Sequence, residues 1–206
     1  MNLIRISHYI DSTKVLGPFQ RSALWVNGCC FSCDGCLAGE MNSKEPLVMP
    51  VDQLASVFLS YKETEGITIS GGEPFLQAEA LTGLIDLIRN QRDYGVIIYS
   101  GFTYEELKEK GADRKAVQDL LEKTDILIDG RYKKELDDGR PFRGSANQRI
   151  LLLSDRYQSV WEDYYLSADK RNIEIKVTSK NIYLVGVPSE YGLATWKKLR
   201  DKAELK

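Results

Sequence analysis

Cys29, Cys33 and Cys36 stand four and three residues apart in the run Asn27-Gly28-Cys29-Cys30-Phe31-Ser32-Cys33-Asp34-Gly35-Cys36, directly after the apolar stretch Ala23-Leu24-Trp25-Val26. Three thiols on one short loop can hold three irons of a cubane cluster and leave the fourth iron open to another ligand. A single Cys-x-x-Cys also serves zinc sites and thiol redox pairs. Structural zinc, however, takes four ligands. Cys30 lies inside the same loop, poorly placed to complete a tetrahedron, and the only histidine, His8, is distant in sequence. A three-plus-one cluster therefore outranks zinc. Cys30 is read as a packed or incidental thiol and His8 as structural.

The rest of the composition is compatible with this. A chain of 206 residues with 43% apolar content has material for one sizeable core. A net charge of −2 with both signs interspersed leaves no basic stripe, so no nucleic-acid partner is expected. The start, Met1-Asn2-Leu3-Ile4-Arg5-Ile6-Ser7-His8, lacks the apolar core of a secretory signal, and no apolar run approaches membrane-spanning length. The expectation is a cytoplasmic protein with no membrane partner, whose clustered cysteines suit a reducing compartment.

From about Ser22 onward, strand-like and helix-like segments alternate. Ser22 to Val26 reads as a strand. Leu54, Val57, Phe58 and Tyr61 follow helical spacing, as do Leu81, Leu84, Ile85 and Ile88. Between them lies the β-rich Gly66-Ile67-Thr68-Ile69-Ser70, which runs into Gly71-Gly72-Glu73-Pro74. Val96-Ile97-Ile98-Tyr99 stops at Ser100-Gly101 and leads into a helical Tyr104 to Lys110. A further helix carries Ala116, Val117, Leu120 and Leu121, with Asp113 as its cap, before the strand in Asp125-Ile126-Leu127-Ile128-Asp129-Gly130. This βαβα pattern predicts an α/β fold: a parallel sheet, or an open, partial β/α barrel of parallel strands.

Such sheets gather ligands in the loops beyond the carboxyl ends of their strands. The cysteine loop, Gly71-Gly72-Glu73-Pro74, Ser100-Gly101 and Asp129-Gly130-Arg131 each follow one strand, so four signals converge on one rim. Beyond Ile150 the pattern changes. Ile173, Ile175 and Val177 alternate with Glu174 and Lys176, Ser179-Lys180-Asn181 turns, and Ile182-Tyr183-Leu184-Val185 returns as a β-hairpin. Pro188-Ser189-Glu190 then starts a helix with Leu193, Trp196 and Leu199 on one face. Residues 1–150 are read as the core that carries the cluster loop, and 151–206 as a hairpin and helix appended to the same domain.

Taken together, the cysteine spacing and Gly71-Gly72-Glu73-Pro74 resemble the radical S-adenosylmethionine superfamily. Within it, Trp25-Val26-Asn27-Gly28-Cys29, Gly35, Asp125-Ile126-Leu127-Ile128-Asp129-Gly130-Arg131-Tyr132 and Arg143-Gly144-Ser145-Ala146-Asn147-Gln148-Arg149 are similar to the activating proteins of anaerobic ribonucleotide reductase, over about residues 17–149. The resemblance implies a [4Fe-4S] cluster on Cys29, Cys33 and Cys36, whose open iron chelates the amino and carboxylate groups of S-adenosylmethionine. One electron then cleaves the sulfonium, and the 5′-deoxyadenosyl radical takes a hydrogen atom from a glycine α-carbon of a partner, a glycyl radical enzyme. A flavodoxin or ferredoxin is the implied electron donor.

Further roles follow from that resemblance. Gly71 and Gly72 let the backbone approach the methionine moiety, although a plain strand-to-helix turn also uses such a pair. Glu73 orients the loop or meets the ammonium, and Pro74 starts the helix. Ser100 and Gly101 touch the ribose or carboxylate, or simply form a turn. The backbone at Gly35 and Leu37 binds adenine, Gly35 lacking the aromatic that many members carry there. Asp129 and Arg131 look like a variant of an Asp-x-Lys arrangement in which the arginine pairs the carboxylate directly, or else a surface ion pair. Arg143 and Arg149 are candidates for partner docking or sheet-edge pairing. Phe19 stands where the family often has glycine, and the tail after Ile150 exceeds the minimal activase. Two other readings stay in view: a radical enzyme acting on a peptide or small molecule, and a non-catalytic iron–sulfur electron carrier.

Overall fold

The computed structural model describes residues 2–166, 171–177 and 182–204. A seven-stranded sheet forms the centre, in the order β3-β1-β2-β4-β5-β6-β7. Its strands are β1 (Leu3–Thr13), β2 (Arg21–Val26), β3 (Leu47–Pro50), β4 (Gly66–Gly71), β5 (Gly95–Ser100), β6 (Ile126–Asp129) and β7 (Arg149–Leu152). β2, β4, β5 and β6 pair in parallel, whereas β1 and β7 pair antiparallel to their neighbours. The expected parallel core is present. The sheet is mixed rather than purely parallel, and it ends in two edges, β3 and β7.

Each parallel strand divides its side chains between two faces, as period-2 alternation requires. Leu24, Val26, Ile67, Ile69, Val96, Ile98 and Leu127 point to one face and are sealed there by α2 (Val51–Ser60), α3 (Ala78–Arg89) and α5 (Lys115–Glu122) through Leu54, Phe58, Leu81, Leu84, Ile88, Val117 and Leu120. α1 (Gly39–Asn42) follows the cysteine loop, and α4 (Tyr104–Asp113) opens with a capping box between Thr103 and Glu106. Asp113 is the last residue of α4, not a cap. The residue before α5 is Arg114, which makes no side-chain cap. Tyr61 likewise lies just past α2.

On the opposite face, Ile97, Ile126 and Ile128 pack against Phe142 and against Tyr157 and Trp161, the latter on α6 (Gln158–Leu166). Next to them the hairpin of β8 (Ile173–Val177) and β9 (Ile182–Gly186) buries Val185 on Ile10, Leu16 and Ala23. The hairpin and the terminal helix, α7 (Glu190–Glu204), follow the sequence reading; the turn expected at Ser179-Lys180-Asn181 lies outside the described residues. The His8 ring stacks on Tyr183 with centroids 3.8 Å apart, a packing position that fits its structural reading.

β1 escaped the sequence reading for a definable reason. Ile4 and Ile6 are buried on the helix face, but the register with β2 shifts between Ile6 and His8, and beyond it Tyr9 takes the helix face while Ile10 takes the other. A bulge of this kind moves the alternation by one residue and erases the strand's periodic signature.

At the amino ends of β2, β4 and β5, the Arg21 side chain is fully buried and fully bonded. Its guanidinium donates to Glu65 (2.7 Å), the Tyr157 hydroxyl (2.7 Å), Thr68 (3.1 Å) and the carbonyls of Pro18, Ile67 and Gly95. Glu65 also accepts from Arg156 (3.0 Å), so the segment leading into α6 is tied to the base of the sheet by charge as well as by packing. Breaking a buried, hydrogen-bonded pair from one side costs about 3 kcal/mol or more. Arg21→Leu is accordingly expected to lower unfolding stability by about that amount in urea titrations, with Tyr157→Phe costing about 1 kcal/mol.

Candidate active site

The four strand-end loops reach one rim because the strands end level. Val26 pairs with Gly71 across β2 and β4, and Ser100 with Asp129 across β5 and β6. The cysteine loop leaves β2 through Asn27, which is buried and spends its side chain on the loop's two ends: its amide donates to Ser7 Oγ (3.0 Å) and to the carbonyls of Met41 and Lys44 (3.3 and 3.2 Å). Gly28 N–H donates to Asn42 (3.1 Å). Asn27 thus draws α1 back against β1 and closes the loop. Sequence reading quoted Asn27 only as part of a motif.

Gly71-Gly72-Glu73 is fastened to the start of that loop. Gly72 N–H donates to Val26 O (2.8 Å) and Glu73 N–H to Gly28 O (2.9 Å). A Cβ on Gly72 would stand 2.0 Å from Gly28 O, so any side chain there would force the two loops apart. The glycine pair is required by this loop-to-loop approach.

Glu73 is 1% exposed and uses both carboxylate oxygens within the protein. Oε1 accepts from Phe75 N–H (3.0 Å) and Ser100 Oγ–H (2.9 Å), and Oε2 accepts from Gly101 N–H (2.8 Å). Of its two expected roles the geometry favours loop orientation: the carboxylate clasps the ends of β4 and β5. Pro74 is buried and starts the following 3₁₀ turn, as expected. Ser100 is also consumed here, since its Oγ accepts from Phe102 N–H (3.1 Å).

Gly101 has a further neighbour. A Cβ on it would meet the Phe31 ring at 2.5 Å, so this cysteine-loop aromatic lies directly on the β5-end backbone. Phe31 is edge-on to Phe102 (4.7 Å), and the Arg131 guanidinium lies over its ring at 4.5 Å. Phe31 therefore joins three of the four loops, a role that sequence reading missed because an aromatic between two cysteines carries no spacing signal.

Asp129 and Arg131 do not pair. Buried Asp129 accepts from Tyr104 N–H at the start of α4 (2.7 Å) and from Arg149 Nε (3.0 Å) and Nη2. Exposed Arg131 instead faces the cysteine loop through Phe31. Of the two roles open to Arg149, sheet-edge pairing is what its position on β7 and its bonds to Asp129 and Glu105 describe. Arg143 pairs with Asp138. Gln148 donates to Gly130 O (2.9 Å) and accepts from Gly144 N–H (2.8 Å), which braces the loop carrying Arg131 and Tyr132. The Tyr132 ring lies 3.5 Å from where a Gly35 Cβ would be, so an aromatic group borders the position at which Gly35 supplies none. Leu37 is exposed, and α7 reaches this edge through an Arg200–Glu40 ion pair of 2.7 Å.

All four cysteines are free; Cys29 and Cys36 are exposed and Cys33 is half-buried. Among the described residues, no three His, Cys, Asp or Glu side chains converge as they would on a single metal ion. Burial raises the Cys29 and Cys33 thiols above their ordinary value; Cys36 adds to the effect at Cys33, while the Arg131 charge opposes it. Accessible soft donors, close enough in sequence to repel one another when ionised, suit a cationic iron–sulfur group that would stabilise them as thiolates.

The family described as a 4Fe-4S single cluster domain matches residues 15–151. The chain belongs to that family. It is similar to the anaerobic ribonucleoside-triphosphate reductase-activating protein of Enterobacteria phage T4, 29% identical over 155 residues that cover 72% of this chain and 92% of the relative. The protein of the same description from Escherichia coli K12 is 29% identical over 152 residues, covering 69% and 94%. The pyruvate formate-lyase-activating enzyme of Staphylococcus aureus USA300 is 29% identical over 169 residues, covering 75% and 65%. These relatives align with the radical S-adenosylmethionine reading of the motifs, and the cofactors of this family are a 4Fe–4S cluster and S-adenosylmethionine.

Two outcomes test this geometry. Gly72→Ala is expected to lower the iron bound per chain after anaerobic reconstitution while leaving the far-ultraviolet circular dichroism of the fold in place. Burial also raises the Glu73 carboxyl to about 7, from an ordinary 4.5. The folded state thus holds this proton more tightly than the unfolded state, a contribution complete below about pH 4.5 and lost as pH rises through about 7, up to about 3 kcal/mol. Urea midpoints of wild type should fall over that window relative to those of Glu73→Gln.

Proposed function

We propose that this chain is a glycyl radical enzyme activase whose cluster is held by Cys29, Cys33 and Cys36. The observation that carries the reading is the convergence on one rim of the three-thiol loop, the Gly71-Gly72-Glu73-Pro74 turn and the Arg131 loop, in a member of a 4Fe-4S single-cluster family. A cluster held by Cys29, Cys33 and Cys36 would supply the one electron that cleaves the bond from sulfur to the 5′ carbon of S-adenosylmethionine, giving methionine and a 5′-deoxyadenosyl radical.

The chain's own residues do the positioning. The backbone of Gly71 and Gly72 borders the methionine moiety, and Glu73 holds the Ser100-Gly101 turn against the cysteine loop. Arg131, a fixed cation over Phe31, is suited to the carboxylate of the nucleotide, and the backbone at Gly35 and Leu37, with Tyr132 beside it, to the adenine. Asp129 acts through the α4 start and Arg149.

The protein substrate is a glycyl radical enzyme of the anaerobic ribonucleotide reductase type, as the names of the relatives suggest, and the electron comes from a flavodoxin or ferredoxin. In this reading the sheet curls as an open, partial barrel around the radical, residues 1–150 form the catalytic core, 151–206 are an appendage of the same domain, and the protein works in the cytoplasm. Among the described residues no helix is long and apolar enough to cross a membrane.

The reading is tested by anaerobic reconstitution with dithionite, S-adenosylmethionine and the candidate reductase. Wild type is expected to yield 5′-deoxyadenosine and a glycine-centred doublet in the electron paramagnetic resonance spectrum, and Cys33→Ala neither. A wild-type preparation that binds a cluster yet leaves S-adenosylmethionine intact would overturn it.

A further inference from the structure

The chemistry proposed above consumes one electron for each S-adenosylmethionine cleaved, and the clustered thiols are all the cysteines the chain has. The electron must therefore be delivered by another molecule close to the cysteine loop. A cleft of about 320 Å³ lies beside that loop, lined by Cys30, Phe75, Leu76, Phe102 and Val117, with Lys110 and Arg114 on its wall. Cys30 is the immediate neighbour of Cys29, and Phe102 touches Phe31 within the loop, so an occupant of this cleft would stand one residue from a cluster ligand.

The walls define the occupant. Phe75 and Val117 are buried and Leu76 is 47% exposed, which makes the interior apolar. Lys110 and Arg114 are both exposed; the Lys110 ammonium lies over the Phe102 ring at 4.7 Å and so is directed across the cleft. Of the α4 carboxylates, Glu105 is bound to Arg149 and Glu106 to Thr103 N–H, while Glu109 and Asp113 are exposed and are not among the residues lining the cleft. An apolar slot flanked by two cations complements a protein whose redox group shows an apolar edge inside a ring of acidic side chains.

We propose that this cleft is the docking surface for an acidic, flavodoxin-like electron carrier, with the exposed edge of its flavin in the slot and its carboxylates on Lys110 and Arg114. Each transfer would oxidise the flavin by one electron, from hydroquinone to semiquinone, and reduce a cluster on the three thiols by one; passing that electron to the sulfonium breaks its bond to the 5′ carbon, the sulfur leaving as the neutral thioether of methionine and the carbon keeping the unpaired electron. The inference rests on the activase reading, and its test separates the two.

The double variant Lys110→Glu/Arg114→Glu reverses two exposed charges, and Lys62→Glu on the α2–β4 connection, at the other end of the sheet, controls for a charge reversal away from the cleft. Like charges facing across an interface cost enough to weaken binding about tenfold or more. Titration of oxidised flavodoxin, followed by flavin fluorescence, is expected to show that loss for the double variant and not for Lys62→Glu, with wild-type affinity falling as salt rises. The KM for reduced flavodoxin in 5′-deoxyadenosine formation should rise similarly, while the rate with dithionite stays unchanged and Lys110→Arg behaves as wild type. Equal flavodoxin affinity and KM in the double variant and wild type, with dithionite still active, would overturn the docking site and leave the activase intact. So would a loss seen with ferredoxin but not with flavodoxin. Absence of dithionite-driven cleavage in wild type would overturn the activase reading itself.

Discussion

The rim depends on a seam between two strand ends. Gly72 N–H and Glu73 N–H donate to Val26 O and Gly28 O, and the Glu73 carboxylate then reaches across to Ser100 and Gly101. A buried carboxylate without partners is expensive; one that satisfies three donors, two of them backbone amides, fixes the relative position of the loops that supply them. Gly72 is what allows the seam to close, since its neighbour is a carbonyl oxygen that cannot move without displacing the cysteine loop. Phe31 completes the arrangement by resting on Gly101 with Arg131 over its ring, so that the cysteine loop is held by backbone hydrogen bonds at its start and by an aromatic contact at Phe31.

The two ends of the sheet divide the work. At the carboxyl ends of the strands, short loops expose thiols and backbone. At the amino ends, the Arg21–Glu65–Tyr157–Arg156 network holds the β2, β4 and β5 starts together and anchors the segment that carries α6. The tail beyond Ile150 is thereby joined to the sheet, with Trp161 and Val185 covering the face that the helices α2, α3 and α5 leave open. The hairpin does so with Tyr183 and Val185 inward, and its other side leaves Ile175 and Val177 51% and 72% exposed.

What could be read in the sequence differed by physical type. The parallel strands and their helices were legible because Leu24 and Val26, Ile67 and Ile69, and Leu81, Leu84 and Ile88 carry clean two-residue or helical periods. β3 and β7, each four residues long, present too few alternations to register, and β1 is broken by its bulge. In the candidate site, residue spacing announced Cys29, Cys33 and Cys36. Asn27, Phe31 and Gln148 act by closing contacts with residues far along the chain, and no local pattern marks such a contact. Asp129 bonds Arg149, 20 residues further on, and not Arg131; the sequence offered sheet-edge pairing as one option for Arg149 but could not name its partner.

The sequence by itself determined the chemistry available: three thiols on one loop, glycines where backbones must meet, and a βα rhythm that sends every such loop to the same end of a sheet. Those are local properties, set by residue type and by the two periods of regular structure. Only the tertiary structure decided which polar side chains remain for a ligand and which are spent on the scaffold. Glu73, Ser100 and Asp129 are spent within it, while Arg131 faces the cysteine loop. A side chain's partners depend on what the fold brings within hydrogen-bonding distance, and burial makes leaving such a group unpaired too costly.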